Sequence, residues 1–212
     1  MYIPDYFRPS DADVQAFLGE PGAVHLVTST ASGLRATLLP MVYDPPGCRA
    51  GLGEHGALLG HVAIKNDHWR EPGFGESLAI VRGPDAYITP SWYVAKRVHG
   101  RVVPTWNYTL IHAYGRLVVH EDAAWLEANV RRLVEAHEAA RAEPWAVDDA
   151  PRGYIEGQLR AIVGVELLID RIEAKDKLSQ NRSDADIEGT IAGLEADGEQ
   201  GVSAAMRHAR EG

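Results

Sequence analysis

The stretch "AIVGVELLIDRIEAK", residues 161–175, alternates apolar and small or charged side chains along most of its length. A side-chain period of two puts Val163, Val165, Leu167 and Ile169 on one face and Gly164, Glu166 and Asp170 on the other. It predicts a strand with one buried and one wetter face. Similar runs, bounded by Gly, Pro and Asp, fill the first part of the chain and predict strands near residues 23–30, 34–43, 58–65, 78–82, 86–88 and 107–120. Ala31, Ser32 and Gly33 mark a hairpin between the first two. About seven strands without crossover helices favour a closed or partly closed antiparallel barrel.

Helices punctuate this pattern. Ser10 or Asp11 can cap a short helix through Phe17 and Leu18 that Gly19 ends. After Asp122, Leu126, Val130, Leu133, Val134 and His137 fall at helical spacing until Pro144 stops them. Ser183 with Asp186 resembles a capping box and predicts one or two helices from 184 to 210, broken by glycines at 189, 193, 198 and 201. The expected organisation is a barrel domain over 1–182 with N-terminal and inserted helices, and a helical extension of the same domain over 183–212.

Composition narrows the function. The chain has 212 residues, 45% hydrophobic and 24% charged, ordinary values for a folded globular protein. No apolar run is long enough for a spanning helix and the first residues lack a signal-peptide pattern, so a soluble, cytoplasmic protein is expected. A single cysteine, Cys48, excludes an intramolecular disulfide and a thiolate-rich zinc site. Acids outnumber bases 30 to 21, a net charge of −9, and residues 184–199 hold six acids without a lysine or arginine. A surface that grips phosphates along DNA needs the opposite sign, so no direct nucleic-acid binding is expected. Gly-x-Ser-x-Gly, Walker and His-Glu-x-x-His patterns are missing, no Gly-x-Gly-x-x-Gly follows a strand, and no metal site is expected. Chemistry here calls for a cofactor.

Four clusters carry polar and aromatic side chains beyond what packing requires. In "GHVAIKNDHWR", residues 60–70, a strand ends in Lys65 and Asn66, a charge and an amide donor suited to an anion. In "PDAYITPSWY", residues 84–93, Ser91 stands beside Trp92 and Tyr93. In "VPTWNYTLIH", residues 103–112, Trp106, Asn107 and Tyr108 repeat the theme, and aromatic walls suit a planar ligand. In "DKLSQNRSD", residues 176–184, Lys177, Ser179, Gln180, Asn181 and Arg182 supply five donors just before a helix start, where free N–H groups also favour anions. Each cluster also has a plainer reading as core or capped turn. Among the histidines, His61, His68 and His112 lie beside these clusters.

Taken in order, "MYIP", "ATLLP", "GHVA-KN-HW", "GPDAYITPSWY", "VPTWNY-L-H-YG" and "KLSQNRS" resemble the signature blocks of the PaiB family, FMN-binding negative transcriptional regulators, from Met1 to about Leu194. The resemblance implies a mainly β fold with appended helices, an antiparallel split β-barrel of the FMN-binding type, and a homodimer with the flavin between protomers. It implies cofactor contacts from Thr37, His61, Asn66, Ser91, Trp92, Trp106 and Asn107, and a contribution from Lys177, Ser179, Gln180, Asn181 and Arg182, some facing the cofactor and others tying the helix to the barrel; Lys65 is added as a candidate anion contact.

Departures from the blocks bear on the cofactor. Family members read Ala-Thr-His-Leu-Pro where this chain has Leu38, and carry a base where it has Ile64, with Lys65 at the family's alanine and Asp67 at its proline. A one-residue shift in a strand moves a side chain to the other face, so Lys65 is no direct replacement. Losing one charge-assisted hydrogen bond costs roughly 1.5–3 kcal/mol, about ten- to a hundredfold in affinity. Three functions follow: a flavin-dependent oxidoreductase or flavin carrier, a regulator acting indirectly, or a family member whose pocket takes another ligand or works without flavin.

Overall fold

The computed structural model describes residues 1–20, 22–71 and 73–210. Among these residues six strands, β1 (Gly22–Thr30), β2 (Gly33–Asp44), β3 (Ala57–Ala63), β4 (Ser77–Ile88), β5 (Thr105–His120) and β6 (Ile162–Lys177), close into a barrel in the order β1-β2-β3-β6-β5-β4. The β1–β2, β1–β4, β2–β3 and β3–β6 pairings are antiparallel. Helices α1 (Asp11–Gly19), α2 (Ala95–Val98), α3 (Ala123–Glu138), α4 (Arg152–Leu159), α5 (Asp184–Ala196) and α6 (Gln200–His208) complete the chain. None is long and apolar enough to cross a membrane. The chain falls into two compact units, one of Met1–Val14, Arg82–Ile111 and Glu173–Gly212, the other of Gln15–Val81 and His112–Ile172.

In the second unit the inward positions of the strands form one apolar core: Val24 and Leu26 of β1, Leu39 and Met41 of β2, Leu58 and Val62 of β3, Val165, Leu167 and Ile169 of β6. Register sets this face, since Val24 lies opposite Leu39 and Leu26 opposite Thr37. The expected wetter face of β6 is corrected by the structure: residues 163–169 are buried on both sides. The amphipathic helix α3 covers the second face, packing Leu133 against Val42, Ala57, Leu59 and Leu168. Gly164 is the clearance for this helix, because a Cβ there would lie 2.8 Å from Cε3 of Trp125. Its neighbour Glu166, 4% exposed, accepts from Arg49 and bonds His120 Nε2 at 2.7 Å. Arg49 also donates to Asp44 at 2.7 Å, and Asp44 takes Arg132 of α3 on its other oxygen. Both buried carboxylates are thereby paired, as burial of charge demands.

Two strand expectations change. Segments 78–82 and 86–88 are one strand, β4, running through Gly83 and Pro84, because proline's fixed φ is compatible with extended backbone. Segment 58–65 ends at Ala63, where Asn66 N–H closes a turn onto the Ala63 carbonyl at 2.8 Å. His137, assigned to the apolar stripe of α3, is exposed, and Leu126, Asn129 and Leu133 carry the buried face.

In the first unit Tyr93, Leu178, Ile187, Ile191, Leu194, Val202 and Met206 form the core. Of the four glycines expected to break the C-terminal helices, only Gly198 does so, at φ +84 between α5 and α6. Gly189 and Gly193 lie inside α5, and Gly201 inside α6. The first two form a notch: a Cβ on Gly189 would run into the Trp92 carbonyl, and one on Gly193 would lie 2.5 Å from Trp92 Nε1. Ser183 caps α5 by accepting the Asp186 N–H at 3.3 Å, but the Asp186 carboxylate does not return the bond. It accepts the Ala95 N–H at 2.9 Å instead, tying α2 to α5.

Candidate functional site

In the second unit the inward face of β1 and β2 changes from apolar to polar near one end of the barrel wall. Thr28 lies opposite Arg35, and Thr37 faces the same side. The short helical turn at 67–69, capped by the Asn66 side chain accepting His68 N–H at 2.9 Å, brings His68 to this side chain set. His68 is 2% exposed and both ring nitrogens are engaged, Nδ1 with Thr37 Oγ1 at 2.9 Å and Nε2 with Thr28 Oγ1 at 3.0 Å. Thr28 Oγ1 continues to Ser77 Oγ at 2.8 Å, and Asn66 donates to Thr37 Oγ1 at 3.4 Å. Burial, then the nearby Arg35 charge, holds His68 below the usual imidazole range, so the ring is neutral. Two of the sequence candidates, Thr37 and Asn66, therefore meet.

Two other candidates from this unit stand apart from that chain. Lys65 is exposed in the turn after β3 and makes no hydrogen bond or ion pair among the described residues. His61 lies opposite Gly164, on the barrel face that α3 covers. Burial lowers its pKa, and its Nδ1 has no partner among the described residues. Ile64 lines an open cavity of about 400 Å³ with Leu126, Leu159 and Ile162. Leu38 points away from the core and is 58% exposed.

In the first unit the 176–184 stretch is largely an internal lock. Ser179 has a positive φ of 70°, which a side chain tolerates only when its surroundings hold it. What holds it is Asn107, fully buried, whose amide exchanges bonds with Ser179 Oγ at 3.0 and 3.2 Å. Gln180 accepts the Leu178 N–H at 2.8 Å and donates to the Asp176 carbonyl at 2.7 Å. Ser179, Gln180 and Asn107 thus spend their donors on the fold. Asn181 is exposed. Ser91 accepts Lys96 Nζ at 2.9 Å, and Trp92 fills the α5 notch.

What remains available is charge and ring surface. Lys177 Nζ donates to Thr105 Oγ1 and, at 2.6 Å, to the Trp106 carbonyl. Arg182 sits over the Tyr93 ring at 4.7 Å. Lys175, missed by sequence reading, is 8% exposed, donates to the Tyr2 carbonyl at 3.0 Å, and stands 5.6–5.8 Å from the Tyr2, Phe7 and Tyr108 rings. None of these three cations has a carboxylate partner among the described residues. Burial, then the Lys175 and Arg182 charges, pushes the Lys177 pKa down, a strain that an anion would relieve. Trp106 is 50% exposed, donates to Asp85 at 2.8 Å, meets Tyr87 edge-on at 6.3 Å, and lines a cavity of about 220 Å³ with Tyr108 and Arg82. The unit offers unpaired positive charge beside aromatic surface, the combination a phosphorylated planar ligand requires. Among the described residues no group of side chains is arranged to hold a metal ion.

The family model described as "Putative FMN-binding domain" matches residues 1–171. Protease synthase and sporulation protein PAI 2 of Bacillus subtilis is 32% identical over 197 residues, covering 92% of this chain and 89% of its own. Among solved structures, the flavocytochrome Anf3 from Azotobacter vinelandii aligns with TM-score 0.53 at 14% identity over 82% of this chain and 72% of its own. The FAD and heme binding protein from Mycobacterium smegmatis aligns with TM-score 0.51 at 15% identity over 87% and 80%. At such identities the two structures establish the split-barrel fold alone. Sequence match and closed antiparallel ring together decide the assignment: the chain belongs to the FMN-binding family of PaiB-like split-barrel proteins.

Proposed function

We propose that this chain binds FMN and serves as a flavin-dependent oxidoreductase, working as a homodimer. The observation that carries the reading is the trio Lys175, Lys177 and Arg182, three cations without carboxylate partners among the described residues, of which Lys177 donates to the carbonyl of the half-exposed Trp106. In this reading Lys177 and Arg182 hold the phosphate and Trp106 flanks the ring system. Lys175 contributes field more than contact, because its ammonium is buried among rings. When bound, FMN supplies the electron and hydride transfer that these side chains cannot. The chain's own residues bind, orient and keep water from the ring.

The outer face of β1 and β2 supports the dimer. Leu34 (76% exposed) and Leu38 (58%) alternate with inward positions and share this face with Ala36 and Pro40. Apolar surface of this kind on a sheet is a place for a partner. The acidic balance, −9 overall, makes any regulatory effect indirect.

Purified protein incubated with FMN tests the reading by fluorescence quenching of the flavin and by sedimentation. The expected result is stoichiometric binding to a dimer, with Lys177→Met weakening it about tenfold through loss of one charge-assisted bond. Failure to bind FMN at high micromolar concentration overturns it and favours a pocket remodelled for another ligand.

A further inference from the structure

The chain Asn66, Thr37, His68, Thr28, Ser77 uses every polar atom of a neutral imidazole, and it can be satisfied in two ways. In one, Thr37 O–H donates to Nδ1, Nε2–H donates to Thr28, and Thr28 O–H donates to Ser77. In the other every donor reverses: Ser77 O–H donates to Thr28, Thr28 O–H to Nε2, and Nδ1–H to Thr37. The distances, 2.9 Å, 3.0 Å and 2.8 Å, serve both. The proton count is the same in each. They differ in what Thr37 shows outward. In the first arrangement its hydrogen is consumed by His68 and it offers only a lone pair. In the second its hydroxyl is free to donate.

We infer that His68 acts as a positioning residue whose tautomer sets the Thr37 hydroxyl as donor or acceptor, and that a ligand bearing a hydrogen-bond acceptor at Thr37 selects the Nδ1–H form. The inference rests on the FMN reading, since the carbonyl and imine edge of a flavin ring is an acceptor of this kind. Its basis is the burial of the inner part of the chain: His68, Thr28 and Ser77 are 2%, 1% and 2% exposed, so no solvent competes for the bonds among them and the direction of one fixes the direction of the next. Asn66 strengthens the coupling. Its carbonyl is held by His68 N–H and its amide already donates to Thr37, leaving the Thr37 hydrogen as the only adjustable one at that end.

The second half of the inference concerns Ser77, which lies behind His68 on β4. Removing its hydroxyl leaves Thr28 O–H without an acceptor in the first arrangement, whereas the second loses only a donor to an oxygen. An unsatisfied buried donor is the costlier defect. Ser77→Ala therefore drives His68 toward Nδ1–H, the ligand-selecting form, from a position that touches no ligand.

The test is long-range ¹H–¹⁵N correlation of the imidazoles in wild-type and Ser77→Ala protein, each with and without FMN, together with FMN titrations. The expected results are Nδ1–H at His68 in the FMN-saturated wild type and a shift toward Nδ1–H in unliganded Ser77→Ala. That variant binds FMN at least as tightly as wild type, while Thr37→Val binds about tenfold more weakly. Nε2–H in the saturated wild type overturns the inference, and so does Ser77→Ala moving toward Nε2–H or binding FMN more weakly. If Ser77→Ala does not fold, the wild-type tautomer with FMN still decides. Absence of FMN binding by wild type is a separate readout that overturns the flavin reading and this inference with it.

Discussion

Gly193→Ala distinguishes whether Trp92 is held by packing or kept for a ligand. In a helix interior the exchange of Gly for Ala ordinarily stabilises by about 0.5–1 kcal/mol, through a less costly backbone and a better propensity. At Gly193 the new methyl would lie 2.5 Å from Trp92 Nε1 and nearer still to Cδ2 and Cε2. The indole cannot retreat easily, because its own carbonyl abuts Gly189 on the same helix. Overpacking of this kind costs about 1–3 kcal/mol, so the net is a loss of about 1–2 kcal/mol. With a typical slope of about 2 kcal/mol per molar urea, the midpoint falls by about 0.5–1 M. Gly157→Ala in α4 is the control, since the nearest atom to a Cβ there is Arg160 Nη2 at 3.9 Å. It should show the ordinary gain. In the Trp92→Leu background Gly193→Ala should recover at least about 1 kcal/mol of its loss. Urea titrations followed by circular dichroism measure the wild type and the four variants. A Gly193→Ala protein as stable as wild type, or one whose loss persists without Trp92, refutes the packing account.

Three further expectations concern buried or half-buried carboxylates. Burial, then opposition from a Thr109 hydrogen bond, leaves the Asp176 pKa raised, and its Oδ1 has no partner among the described residues. A raised carboxyl pKa penalises the ionised form, so Asp176→Asn should stabilise at neutral pH, with the gain vanishing as pH falls through the raised pKa; equal gain at both extremes would contradict this. Asp44 is the reverse: against the penalty of burial, the hydrogen bonds of Arg132 and Arg49 hold its pKa down. Its contribution is present above the ordinary carboxylate range and lost as pH falls through the depressed value, so Asp44→Asn should flatten the acid limb of stability. Glu166→Ala should cost about 3 kcal/mol, the lower end for a broken buried pair, because Arg49, its side chain 37% exposed, can turn toward solvent.

Most of the barrel was legible in residues 161–175 and their counterparts, because strand periodicity and core burial are the same fact seen twice. The mistakes arose where a second layer intervened. Glu166 reads as wet because sequence cannot say that α3 will cover it, nor that Arg49 and Arg132 will pair the carboxylates beneath. Gly189 and Gly193 read as helix breakers because propensity is local, while the indole they accommodate comes from far away in the chain. The candidate clusters were correct as places rich in donors, but Ser179, Gln180 and Asn107 use theirs internally, which no composition reveals. Lys175 was invisible because it reads as the polar end of a strand, and its cage of rings is assembled from distant segments. A signal for the His68 chain did exist: Thr28 and Thr30 continue the inward parity of Val24 and Leu26, and hydroxyls at core positions call for a polar partner.

The notch in α5 also orders events in time. The helix has good caps of its own, yet its closest packing surface is an indole on the other side of the strands β5 and β6 in sequence. Closing so long a loop is an entropic cost met before any contact rewards it. Docking of α5 onto Trp92 is therefore a late step of folding, and the emission of that tryptophan is a clock for the completion of the first unit.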